Sequence, residues 1–296
     1  MDCKELCTLC PRNCLADRIH SFGVCQEKRE IKVARAALHM WEEPCISGKN
    51  GSGAIFFSGC SLRCVYCQNK KISKDNFGIE VTPNRLAQIM LKLQSEGAAN
   101  INLVTPTHFS PLIRESLKMV KNRLNIPVVY NTSGYENEDI IDGLKDYVDV
   151  FLPDYKYKGK FLSRKLSNAV DYPEKAAAAI EKMVEITGPC KFDSNGMILK
   201  GTIIRHLVLP GFLENTYAVL DDIAKRFKDK GVLISLMGQY TPCYYEGDIE
   251  SLKRPLNEVE YQKALDYACS LGLDGFMQDL SSADKKYTPS FDLEGL

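Results

Sequence analysis

From about residue 53 onward, short unbroken apolar runs alternate with segments of helical periodicity, and this alternation limits the possible folds more than any other feature of the chain. The apolar runs fall at 54–57, 101–104, 128–130, 148–152, 202–209 and 232–237. Continuous rather than alternating hydrophobicity is what strands covered on both faces of a parallel sheet require. Between the runs the helix punctuation is legible. Thr82-Pro83 opens a segment with Leu86, Ile89, Met90 and Leu93 on one face, and Gly97 ends it. Ser110-Pro111 repeats the device, Pro173 opens a helix that stops near Gly188, and further helices are expected over 216–228 and 258–271. An Asn195-Gly196 turn between Lys191 and Lys200 predicts a hairpin before the fifth strand. Six βα units build either a partial barrel or an open doubly wound sheet, and in both designs ligands gather at the carboxyl ends of the strands.

Composition narrows the partners. Thirty-eight basic residues balance thirty-eight acidic ones, so there is no electrostatic argument for a nucleic-acid backbone or an anionic membrane. No run of ~18 apolar residues occurs, and the start, MDCKELCTLC, lacks a basic segment followed by an apolar one; the expected location is the cytoplasm. In that reducing compartment twelve cysteines point to metal rather than disulfides.

The expected strand ends carry Gly59-Cys60, Thr105-Pro106-Thr107-His108, Asn131-Thr132-Ser133-Gly134, Asp154-Tyr155-Lys156, Pro210-Gly211 and Gly238-Gln239-Tyr240. Cys60, Cys64 and Cys67 are spaced Cys-x3-Cys-x2-Cys on the loop leaving the first expected strand. Cys3, Cys7 and Cys10 have the same spacing, so context must choose, and the 60–67 loop follows a strand and faces the rim. Three thiolates can hold three corners of a [4Fe-4S] cube and leave one iron open. Competing readings are a zinc knuckle and an electron-carrying cluster completed by a distant cysteine such as Cys45.

With Tyr66 before the last thiol, the loop resembles the signature of the radical S-adenosylmethionine (SAM) superfamily, Cys-x3-Cys-x-aromatic-Cys. The surrounding sequence is most similar to the pyruvate formate-lyase activating enzyme group, in its PflX-type branch. The resemblance implies an α/β partial (βα)6 TIM-like barrel, a catalytic [4Fe-4S] cluster on Cys60, Cys64 and Cys67, and SAM as cofactor. It also implies reductive cleavage of SAM to a 5′-deoxyadenosyl radical that takes a hydrogen atom from the substrate. That substrate is a protein, with a glycyl-radical enzyme as the nearest analogy, another peptide, or a small metabolite. The electron would come from a carrier such as flavodoxin or ferredoxin.

Carried over residue by residue, the resemblance places Asn131 and Ser133, then Asp154 and Lys156, on SAM, with Tyr66 on the adenine and the segment from Arg205 and His206 to Gly211 beside it. An ordinary rim ion pair for Asp154 and Lys156, a core histidine for His206 and simple packing for Tyr66 are the alternatives. Many superfamily members have Gly-Gly-Glu after the second strand; this chain reads Thr105-Pro106-Thr107-His108, leaving Thr105 and Thr107 as the available acceptors for the SAM amino group. Upstream, Cys7, Cys10, Cys14 and Cys25 supply four thiols for an auxiliary [4Fe-4S] cluster or a zinc ion, with Cys3 as substitute or spare. The expected organisation is a cysteine-rich segment over 1–48 and a core domain over 49–296, with Glu42-Glu43 in a stretch that reads as a linking acidic loop or as a substrate contact. The rivals from other classes are a two-cluster electron-transfer protein and a zinc-stabilised nucleic-acid binder.

Overall fold

The computed structural model describes residues 6–245, 247–278, 280 and 289–296; Cys3 lies outside them. The strands are β1 (Ile31–His39), β2 (Ser52–Phe57), β3 (Ile79–Val81), β4 (Ile101–Val104), β5 (Val128–Thr132), β6 (Val150–Pro153), β7 (Lys191–Phe192), β8 (Ile198–Leu207), β9 (Leu233–Met237) and β10 (Gly275–Met277). The helices are α1 (Pro44–Ser47), α2 (Lys70–Ser73), α3 (Pro83–Ser95), α4 (Ser110–Val120), α5 (Glu138–Asp142), α6 (Lys160–Ser167), α7 (Tyr172–Thr187), α8 (Leu213–Phe227) and α9 (Glu258–Ser270). All six expected strands form, as β2, β4, β5, β6, β8 and β9, and they pair in parallel in that order. β10 adds a further parallel strand beside β9. The hairpin partner β7 pairs antiparallel with β8, as the Asn195-Gly196 turn predicts.

Alternation along the parallel strands sets two environments. Ile55, Phe57, Leu103, Val128, Tyr130 and Phe151 point outward into a core shared with α3 and α4. Phe56, Val104 and Asn131, beside them in the chain, point inward and with Asp154, Arg205, Leu207 and Met237 line a cavity. The helix starts follow local chemistry: Thr82 accepts the Arg85 amide at α3, and Asn257 with Glu260 closes a capping box at α9.

The sheet extends upstream of the expected boundary at residue 48. β1 runs antiparallel along all of β2, from Val33 opposite Phe57 to His39 opposite Ser52, and so belongs to the sheet. α1 then enters the barrel floor, where Cys45 and Ile46 pack against Val129, Val150, Leu152, Ile198 and Ile203. Burial of this apolar turn holds the linking segment inside the barrel.

Candidate active site

The loop after β2 begins at Gly59, whose φ of +79° turns the chain and whose missing Cβ makes room for Glu27 and the Cys25 carbonyl. Beyond it Cys60, Cys64 and Cys67 line one cavity of about 220 Å³ together with Tyr66, Thr105, Asn131, Ser133, Asp154, Lys156 and Arg205. No fourth cysteine is among the described residues of its lining. Cys45 is in the barrel floor, packed among aliphatic side chains.

Each of the three sulfurs meets a hydrogen-bond donor. The Leu62 amide donates to Cys60 Sγ at 3.4 Å, and Ser73 Oγ donates to Cys67 Sγ at 3.4 Å. Cys64 Sγ is 2.9 Å from Ser167 Oγ. Ser167 Oγ is in turn 2.8 Å from the Tyr157 hydroxyl, which is 2.6 Å from the Tyr66 hydroxyl. Burial pushes the Cys60 thiol up to about 12, with the neighbouring Cys64 adding to the effect, and burial raises Cys67 as well. Metal binding would displace the protons of these thiols, and donors aimed at sulfur are the surroundings of iron–sulfur ligands. The residues present therefore fit a [4Fe-4S] cluster.

Opposite the thiols, Lys156 Nζ donates to Asp154 Oδ2 at 2.5 Å. Burial opposes charging of this lysine, but Asp154 and the thiols of Cys64 and Cys67 hold it above the ordinary lysine value. The loops of β5 and β6 meet at Gly134, where φ is +77° and an added Cβ would stand 2.3 Å from the Asp154 carbonyl oxygen. The Tyr172 hydroxyl bridges them: it accepts the Lys156 amide, and its single proton is shared between the Ser133 and Asp154 carbonyls, at 2.9 and 2.8 Å. Thr105 sits at φ +60°, an unusual conformation for a β-branched residue, and its amide donates to the Asn131 carbonyl.

Two expected SAM contacts stand away from the cavity. His206 follows inward-pointing Arg205 in β8 and so faces outward, bonded to the Tyr155 carbonyl and Thr216 Oγ1. This is the alternative of a satisfied core histidine. Thr107 is in the 3-10 turn after β4 and donates to buried Glu136 at 2.5 Å. Arg205 lines the cavity, but its guanidinium is shared between Glu43, at 2.6 and 2.8 Å, and Glu42. Glu42 is thus a cavity residue rather than part of a solvent loop, and it also accepts from Asn102 Nδ2 at 2.9 Å and Asn131 Nδ2 at 3.4 Å. Only the plug at α1 puts it there, and no spacing in the sequence marks it. Ser167 and Tyr157 were equally invisible, being over ninety residues from the thiol loop.

The model of the radical SAM superfamily matches residues 54–202, half of the chain. The chain belongs to the radical SAM superfamily. An uncharacterized protein of Methanocaldococcus jannaschii is 30% identical over 283 residues, covering 90% of this chain and 75% of that protein. Among solved structures, Streptococcus suis SuiB bound to the precursor peptide SuiA superposes with a TM-score of 0.55 at 13% identity, covering 76% of this chain and 48% of that one. A radical SAM methyltransferase from Sphaerobacter thermophilus gives 0.52 at 12% identity, over 77% of this chain and 66% of that one. The protein anSMEcpe with bound AdoMet gives 0.51 at 16% identity, over 74% and 58%. At these identities the likeness is one of fold, and the chain spans about half the length of SuiB. In this radical SAM protein the matched region runs from β2 through the start of β8, taking in the thiol loop and the Asp154–Lys156 rim. No described helix is long and apolar enough to cross a membrane.

Proposed function

We propose that this radical SAM enzyme reductively cleaves SAM and uses the resulting radical on a peptide or protein substrate, activation of a glycyl-radical enzyme being the specific reading. The observation that carries it is the meeting, in one cavity, of three donor-cradled thiols with the Asp154–Lys156 rim and no fourth cysteine among the described lining residues. Cys60, Cys64 and Cys67 would hold a [4Fe-4S] cluster, which, once reduced by a one-electron donor, would supply the electron for cleaving the sulfur–carbon bond of SAM.

The chain's own residues bind and orient. Lys156 offers a compact positive charge to a carboxylate of the cofactor, and Asp154 fixes its position. Glu42 supplies the acidic acceptor missing after β4: it lines the cavity, and beyond its bonds from Arg205, Asn102 and Asn131 a carboxylate has a further lone pair for an ammonium group. Tyr66 and Tyr240, with ring centroids 6.1 Å apart, form an aromatic wall suited to a nucleobase. A peptide substrate is supported by the resemblance to the glycyl-radical activating group and by the peptide-bound state of SuiB. A low-potential one-electron carrier such as flavodoxin or ferredoxin would be the donor.

Anaerobic, reduced protein should convert SAM to methionine and 5′-deoxyadenosine, and Cys64→Ala should abolish this. Turnover that persists in Cys64→Ala overturns the site assignment. A glycyl radical signal on a partner enzyme incubated with the active protein tests the substrate; SAM cleavage without transfer to any glycyl-radical enzyme of the same genome overturns that part alone.

A further inference from the structure

The chain before β1 winds four thiols into a knot against the catalytic loop. The Cys7 amide donates to the Ala16 carbonyl at 3.0 Å and the Leu15 amide to the Cys7 carbonyl at 3.1 Å, which folds the chain around Cys14 back onto Cys7. A Cβ at Gly23 would lie 3.2 Å from Cys25 Sγ and 3.7 Å from Cys14 Sγ, so these two sulfurs flank one point. Cys10 and Cys25 are buried, and the Asn13 amide donates to the Cys10 carbonyl at 3.0 Å. The guanidinium of Arg18, itself buried, reaches Cys7 Sγ at 3.9 Å and is held by the carbonyls of Glu27, His108 and Lys28.

The knot and the catalytic loop are built alike. Non-glycine residues adopt positive φ beside thiols in both, namely Asn13, Leu15 and Gln26 in the first and Arg63 in the second. Such turns aim successive amides into a concavity that suits an anion or a sulfur-ligated centre. The two loops are also joined directly. The Cys60 amide donates to the Cys25 carbonyl at 3.2 Å, and Arg12, between Cys10 and Cys14, donates to the carbonyls of Ser61 at 2.7 Å and Ser167 at 2.8 Å. Three buried polar atoms beside the knot, Glu27 Oε1, His108 Nδ1 and Glu136 Oε2, have no partner among the described residues.

We propose that Cys7, Cys10, Cys14 and Cys25 hold a second iron–sulfur cluster, closed by four thiolates and fixed directly against the catalytic loop. Four ligands complete such a cluster and leave no open iron, so this site is not a second SAM site. A zinc ion, with Zn–S bonds of about 2.3 Å, needs its thiols drawn round one small centre. Among the described residues no three or more metal-ligating side chains are gathered as a single-ion site. The assignment stands apart from the SAM chemistry, so it can be tested with the catalytic thiols removed.

The full chain carrying Cys60→Ala, Cys64→Ala and Cys67→Ala, purified without oxygen, should contain about four each of iron and sulfide per chain. Adding Cys10→Ser and Cys14→Ser should cut the iron at least tenfold, with the circular dichroism of the sheet retained. Zinc in place of iron overturns the proposal, as does metal-free protein with a native spectrum or iron that survives the five substitutions. Should the triple variant not fold, the unmutated chain should carry about eight iron and Cys14→Ser alone about four. Equal iron in those two proteins overturns it likewise.

Discussion

The hydroxyl of Ser167 lies 2.9 Å from the sulfur of Cys64, although 103 residues separate them in the chain. Once Cys64 is a metal-bound thiolate it can only accept, so Ser167 donates to it, Tyr157 donates to Ser167, and Tyr66 donates to Tyr157. A single hydrogen-bond direction therefore runs from the aromatic residue of the thiol loop back to the middle thiol of the same loop.

Ser167→Ala should leave iron content unchanged and lower the reduction potential of the catalytic cluster by an amount on the order of tens of millivolts, because a donor to sulfur favours the reduced, more negative state. A redox titration followed by electron paramagnetic resonance reads this directly. An unchanged or raised potential would show that the contact does not donate to the cluster ligand.

The Arg205–Glu42–Glu43 group is a buried ion triad, with the Glu43 side chain only 3% exposed. Burial alone would raise Glu43, but the charge and hydrogen bonds of Arg205 hold it below the usual carboxylate range. Its contribution is therefore present above the unfolded carboxylate value and lost as pH falls through the lower folded one. Arg205→Met leaves two unmatched carboxylates and should cost ~3–5 kcal/mol in urea unfolding, whereas adding Glu42→Gln and Glu43→Gln should recover most of it. Failure of the triple variant to recover would mean that the arginine acts through packing instead.

Glu136 has the opposite sign. Burial raises its carboxyl to about 7, only partly offset by the Thr107 and Thr132 hydroxyls. An acid raised on folding contributes full stability below its unfolded value, near 4.5, and loses it as pH rises through about 7. Glu136→Gln should thus gain ~2–3 kcal/mol relative to the unmutated chain on moving from pH 5 to pH 8. Parallel pH profiles of the two proteins in denaturant titrations would contradict this.

At Gly134 an alanine would combine a left-handed backbone with a carbon placed 2.3 Å from the Asp154 carbonyl oxygen. The conformation alone costs ~1–2 kcal/mol, and the clash pushes the β5 and β6 loops apart. Gly134→Ala should lower the melting temperature and weaken SAM binding by ~10-fold or more through displacement of Asp154 and Lys156. Calorimetry with SAM separates the two effects; unaltered SAM affinity would show that the loops move independently of the rim.

The sequence by itself determined the six central strands, the starts of α3, α4 and α7, the hairpin before β8, and the thiol loop on the rim. These are local signals: unbroken apolar runs, Ser/Thr-Pro starts, an Asn-Gly turn and a three-thiol spacing, each complete within a dozen or so residues. β1 escaped notice because it reads as part of a cysteine-rich extension and gains its strand partners only from β2 and β3. The tertiary structure alone decided that Arg205 faces the cavity while His206 faces the core, since one step along β8 reverses the side chain. It alone brought Glu42 to that cavity and Ser167 to Cys64, because a floor plug and a helix end meet the thiol loop only after the barrel has curled. No period in a linear chain records which distant groups that curvature makes neighbours.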